Sequence, residues 1–95
     1  MVKYKRQFQL MIDENKLLFS EFKKYHDLLD SGDGSVREEF NEIGRKVQRV
    51  VRRYENELCA KSENSGFGKY SENLSEKFWL EVRQYLPKID KIEIE

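Results

Sequence analysis

Arg45, Lys46, Arg49, Arg52 and Arg53 crowd into nine consecutive positions and are the densest source of chemistry in the chain. Arginines at helical spacing can track a phosphate backbone, because each neutralised phosphate releases condensed counterions. Helical geometry divides the run. Lys46 and Arg53 fall where Glu21 and Glu14 of a neighbouring helix would arrive, as cross-helix ion pairs worth about 0.2–1 kcal/mol when exposed. Arg45, Arg49 and Arg52 point to the back, where Glu42 can reach Arg45 and Glu55 can reach Arg52. With Lys69, these three make a candidate anion or nucleic-acid surface, against the alternative of a solvated structural face. Lys69 belongs to Ser65-Gly66-Phe67-Gly68-Lys69-Tyr70, whose glycines and rings could cradle an anion or stack a base. The segment lacks the Gly-x-x-x-x-Gly-Lys-Ser/Thr spacing of a phosphate loop. A tight turn with Phe67 and Tyr70 capping the end of the fold is the competing account.

The remaining reactive side chains do not assemble into a catalytic group. A nucleophilic Cys59 would need a base and a depressed pKa. It falls near the C-terminal end of a helix, which disfavours a thiolate, and on the outer surface. The single histidine, His26, falls near the far end of the same helix pair and reads as packing with one hydrogen bond. One Cys and one His supply neither a structural zinc site nor an internal disulfide. The acidic pairs Asp13/Glu14, Glu38/Glu39 and Glu55/Glu57 do not face inward, and a Glu-x-x-His spacing, which di-metal helical sites use, is absent. The expectation is a protein without metal or cofactor that is not an enzyme.

Two heptad series must position all of these residues. Bulky side chains alternate four and three apart at Tyr4, Phe8, Met11, Leu18, Phe22, Tyr25 and Leu29, with polar Asn15 completing the series. The spacing resumes at Val36, Phe40, Ile43, Val47, Val50 and Tyr54. Folding the chain at the break between them sets Leu29 beside Val36, Phe22 beside Ile43 and Met11 beside Tyr54, as an antiparallel helical hairpin requires. The series predict an all-α fold in a single domain over 1–95: a helix over 3–29, a turn over 30–35, a helix over 36–61, a loop over 62–70, a helix over 71–86 and a tail over 87–95. In the turn, Gly32 or Gly34 can take the left-handed conformation that ends a helix. Ser35 with Glu38 makes a capping box for the next one.

Further apolar residues show where the third helix goes. Ile12, Phe19, His26, Gly44, Val51 and Leu58 would line one groove beside the hairpin seam. The shorter helix, carrying Leu74, Phe78, Trp79, Val82, Tyr85 and Leu86, is expected to lie in it, with Trp79 against Gly44, to complete a three-helix bundle. Pro87 stops that helix. The tail is expected to be extended, with Ile89 and Ile92 packed on the bundle. Asn15, polar among apolar neighbours, reads as a device that fixes register.

Leu10 and Leu17 fall outside both the seam and the groove, seven apart on one line, with Leu28 nearby. Aligned exposed leucines suggest a partner-facing patch. They point to a non-enzymatic protein–protein interaction module, acting on a protein partner or as a homodimer. A nucleic-acid or ribonucleoprotein accessory role through Arg45, Arg49, Arg52 and Lys69 is the alternative.

Composition is consistent with either reading. The chain carries 18 basic and 18 acidic residues, a balance unlike that of a dedicated DNA-coating protein. A lone thiol, no apolar run of signal-peptide length and no run of about 20 apolar residues suggest a soluble cytoplasmic protein. Asp13-Glu14-Asn15-Lys16, Phe40-Asn41-Glu42-Ile43-Gly44, Leu58-Cys59-Ala60-Lys61-Ser62-Glu63 and Leu74-Ser75-Glu76-Lys77-Phe78-Trp79 together span most of the chain. They resemble segments of small uncharacterised proteins of ultrasmall candidate-phylum bacteria. The resemblance implies a bacterial, cytoplasmic setting and no activity.

Overall fold

The computed structural model describes residues 3–64 and 71–92, with side chains for 3–60 and 74–92. Among them the chain is all-helical. The four α-helices are α1 (Lys3–Glu14), α2 (Lys16–Asp30), α3 (Arg37–Asn64) and α4 (Ser71–Tyr85), with short 3-10 turns at Gly34–Val36 and Ile89–Lys91.

The expected single helix over 3–29 is interrupted at Asn15, and the cause is local. The Asn15 side-chain amide donates to the Met11 carbonyl at 2.9 Å, the acceptor that the Asn15 backbone N–H would use in an unbroken helix. That N–H turns instead to Ile12 O at 3.3 Å. The Asn15 carbonyl then accepts from Phe19 N and starts α2. Asparagine competes with the backbone in this way because its amide reaches neighbouring peptide groups.

α2 closes in a Schellman motif. Asp33 N–H reaches Leu28 O, Gly32 N–H reaches Leu29 O, and Gly32 adopts φ +103°, where a Cβ would be strained. The cap that follows is Asp33, not Ser35. The Asp33 carboxylate accepts from both the backbone N–H and the hydroxyl of Ser35, so a 3-10 turn forms first and α3 begins at Arg37. α3 also outruns its expected end at residue 61, because Ser62-Glu63-Asn64 contains neither Gly nor Pro to stop it.

α1 and α3 are joined by Gln7, whose Nε2 donates to Tyr54 O at 3.0 Å, and by Asn15, whose Nδ2 meets the Tyr54 hydroxyl at 3.3 Å. At the other end, the Phe22 ring of α2 stacks on Phe40 of α3 at 5.2 Å. The direction of α3 is therefore opposite to that of α1 and α2. α4 runs alongside α1, with Phe8 edge-on to Tyr85 at 6.0 Å and Lys5 near Glu81. Its Ser75 hydroxyl bonds Glu55 of α3. One core results, in which Met11, Phe19, Phe22, Phe40, Val47, Val51, Phe78 and Val82 are buried.

Two expectations about α4 and the tail are corrected. Trp79 does not occupy the space at Gly44. It is half-buried, with the Arg83 guanidinium over its ring at 5.5 Å. Gly44 instead receives Ile92: a Cβ built on Gly44 would lie 2.6 Å from Ile92 Cδ1 and 3.1 Å from Phe22 Cε1. Nor is the tail extended. It turns through Ile89–Lys91 and buries both Ile89 and Ile92.

An alanine at Gly44 gains about 1 kcal/mol of helix propensity but displaces an isoleucine whose burial contributes about 1.5–3 kcal/mol. Gly44→Ala should therefore destabilise the chain by about 1 kcal/mol. In an Ile92→Ala background the same substitution should stabilise it. Urea unfolding of the four variants checks both signs, and a stabilising Gly44→Ala in the otherwise unaltered chain contradicts the packing.

Candidate interaction surface

The outer face of α1 and α2 follows from the inner one. Met11, Phe19 and Phe22 turn inward, so Leu10 and Leu17 turn outward, 43% and 89% exposed. Leu10 borders an open depression of about 800 Å³ that Leu58, Lys3, Arg6 and Asp13 also line. Leu28 lies further along α2, at the margin of exposure. Leu80 of α4, 57% exposed, is a fourth large apolar side chain at the surface and was not expected. Its signal was a leucine out of phase with Phe78 and Val82.

The arginine stripe is less open than its sequence suggests. Arg45 is half-buried and already has a partner. Arg49 and Arg52 are exposed and make no ion pair among the described residues. Lys69 lies outside the described residues, as do Phe67 and Tyr70. The structure thus brings together two of the four expected anion-binding residues, on the outer side of α3.

The ion pairs expected to flank the stripe are replaced. Arg53 does not pair with Glu14. Its guanidinium lies over the Tyr54 ring at 5.2 Å, while Glu14 Oε1 accepts the Tyr54 hydroxyl proton at 2.5 Å. A buried phenol donating to a carboxylate is a charge-assisted bond, stronger than an exposed ion pair. Lys46 and Glu21 are both exposed and unpaired among the described residues. Glu55 takes Ser75 rather than Arg52.

Tyr54 thereby becomes the centre of a polar crossing that sequence reasoning missed. Its hydroxyl meets Asn15 and Glu14, and its carbonyl meets Gln7, which is itself buried and also approaches Glu57 at 3.5 Å. Nothing in the heptad pattern distinguishes this tyrosine from other core aromatics.

Two lone reactive groups sit elsewhere. Cys59 is half-buried rather than fully on the surface. His26 is 2% exposed and bonds through both ring nitrogens, to Asp27 at 3.1 Å and to the Lys88 amide at 3.1 Å. The His26 bond, reinforced by Lys23, holds the Asp27 carboxyl below its ordinary value of 3.8. Among the described residues no three His, Cys, Asp or Glu side chains could hold a metal ion, and no helix is long and apolar enough to cross a membrane.

The two sides of α1–α2 should respond oppositely to truncation. Leu17→Ser, measured at low protein concentration, should change unfolding stability by no more than about 0.5 kcal/mol. Met11→Ala should cost about 2–5 kcal/mol. A costly Leu17→Ser at low concentration would place that side chain inside.

Compared with protein-family models, curated proteins and solved structures, the chain matches none.

Proposed function

We propose that this chain is a non-enzymatic protein–protein interaction module of the cytoplasm. In this reading it is an antiparallel helical hairpin with a shorter third helix packed across it, a three-helix bundle. It docks through Leu10 and Leu17 on the first arm, and the partner is a second copy of the chain. The observation that carries the proposal is the exposure of Leu17, 89%, together with that of Leu10, 43%. Among the described residues, a core of fourteen buried apolar residues, with ten more partly buried against it, leaves these two out.

A two-fold axis favours self-pairing. In an isologous contact, Leu10 of one copy meets Leu17 of the other, and the contact occurs twice. Four residues beyond each leucine stand Arg6 and Glu21, exposed and without ion pairs among the described residues. The same antiparallel arrangement brings Arg6 toward Glu21 of the second copy at both ends. Lys3 and Lys24 would approach one another further out, which weakens the pairing and favours a reversible dimer over an obligate one.

Sedimentation at rising concentration tests the proposal. The unaltered chain should pass from monomer to dimer, and Leu10→Glu/Leu17→Glu should remain monomeric with an unchanged helical spectrum. A chain that stays monomeric at about millimolar concentration, the weak limit of specific association, sinks the self-pairing reading.

A second reading rests on Arg49 and Arg52, which lie exposed on α3 with no acidic neighbour bonded to them among the described residues. As a nucleic-acid accessory, the chain would bind random RNA or DNA at low salt, with an affinity that falls steeply as salt rises. Arg49→Ala with Arg52→Ala should then weaken binding and flatten the salt dependence. Equal binding by this variant removes the reading.

A further inference from the structure

The buried imidazole of His26 has no part in the leucine face, and both of its nitrogens are committed. Nε2 lies 3.1 Å from the backbone nitrogen of Lys88. An amide N–H can only donate, so Nε2 must be the unprotonated, accepting nitrogen. The ring proton therefore sits on Nδ1, 3.1 Å from Asp27 Oδ1.

Lys88 stands where α4 has ended, one residue after Pro87. From there the chain turns and plants Ile89 and Ile92 in the core, with Ile92 against Gly44. Lys23 Nζ donates to Tyr85 O at 3.3 Å, and Lys88 Nζ pairs with Asp30 at 3.5 Å. Both of these contacts are partly exposed and adaptable. The His26–Lys88 bond is the one that fastens the segment's backbone to α2 from the interior.

We propose that His26 is a proton-sensitive latch for residues 86–92: the neutral imidazole holds the Lys88 amide, and a proton taken up at Nε2 releases the segment. Protonation turns the accepting nitrogen into a donor and leaves two N–H groups facing each other in a buried place. An unsatisfied buried donor is among the more costly local defects a fold can carry.

Charged groups face the ring from α2 and from the tail. On α2, the Asp27 carboxylate faces Nδ1, and Lys23 pairs with Asp27 at 3.3 Å. From the tail, the Lys88 ammonium is directed to Asp30. α3 offers the Phe40 ring at 6.2 Å and, among the described residues, no charged side chain bonded to the imidazole. Asp27 therefore stabilises the cation on one side of the ring, while the Lys88 amide makes the cation incompatible with the closed tail on the other. Because its carboxyl is held below 3.8, Asp27 stays ionised throughout the interval in which imidazoles change charge. The sign follows: the closed tail is favoured at higher pH, where Nε2 is bare, and is lost as pH falls. Release vacates the space at Gly44 and exposes the Phe22 edge beside it.

The test is NMR on the full chain between about pH 8 and about pH 5. Imidazole nitrogen shifts report the charge on His26, and amide exchange reports the tail. At the upper end the Lys88 amide should be protected. As the ring becomes charged, its exchange should rise about tenfold or more, while α3 core amides stay protected. His26→Gln places a non-titrating carbonyl oxygen within reach of the same amide, so its tail should remain protected across the range. The proposal is overturned if the Lys88 amide stays protected beside a charged ring. It is equally overturned if the ring stays neutral until the whole chain unfolds, or if His26→Gln loosens over the same interval as the unaltered chain. Should His26→Gln fail to fold, the titration of the unaltered chain decides by itself.

Discussion

Tyr54 sets the register on which everything else rests. An apolar stripe alone tolerates slippage, because one layer of Leu, Phe or Val packs against another at little penalty. A buried polar group does not, since its partner must be in reach or the group is left unsatisfied. Two such demands meet at Tyr54: its own hydroxyl, which Asn15 and Glu14 satisfy, and the buried Gln7 side-chain amide, which donates to its carbonyl. Moving α1 by one turn along α3 would break all three contacts together. The same Asn15 interrupts the helix by taking the Met11 carbonyl, so register and rotation of α2 are settled at one residue. With α2 so oriented, Phe22 meets Phe40, His26 turns inward, and Leu17 has nowhere to go but out.

The opposite end of the molecule uses shape instead of polarity. Gly44 removes a side chain from the middle of α3, and Ile92, forty-eight residues later, fills the space. The tail therefore acts as a strap across α2 and α3. Gln48 adds a weak bond to Ile89 O at 3.4 Å, and the backbone of Lys88 is held by His26. A polar lock near one end and a close apolar contact near the other divide the work: the first sets alignment, and the second supplies burial that the first cannot.

Legibility in the sequence followed the range of the interactions. The helical character of 3–29 and 37–61 was readable from spacing, and the left-handed position of the turn was narrowed to Gly32 or Gly34, because three to four residues decide each; the continuation of α3 through 62–64 was not. Which residue caps the turn that leads into α3 was not, since Asp33 and Ser35 both offer an oxygen and only the backbone path chooses between them. Asn15 was recognisable as a polar residue in an apolar series. Its break in the helix was not, because the side chain divides its bonds between Met11 and a hydroxyl on another helix. Trp79 was the expected occupant at Gly44; Ile92 stands there instead, because the chain reverses after Pro87 in a way that spacing does not show. The outward leucines were visible from phase alone, whereas the expected Glu14–Arg53 pair was lost to a tyrosine hydroxyl that competes for the same carboxylate.

The candidate surface and the latch are thus consequences of one alignment, and coupling between Asn15 and Tyr54 probes it most directly. A double-mutant cycle with Asn15→Ala and Tyr54→Phe, read by urea unfolding at low protein concentration, isolates the term that the two share. The expected coupling is favourable, about 0.5–1.5 kcal/mol. Strictly additive effects, with both single variants folded, would mean that the two side chains do not meet and that the register described here is not the one the chain adopts.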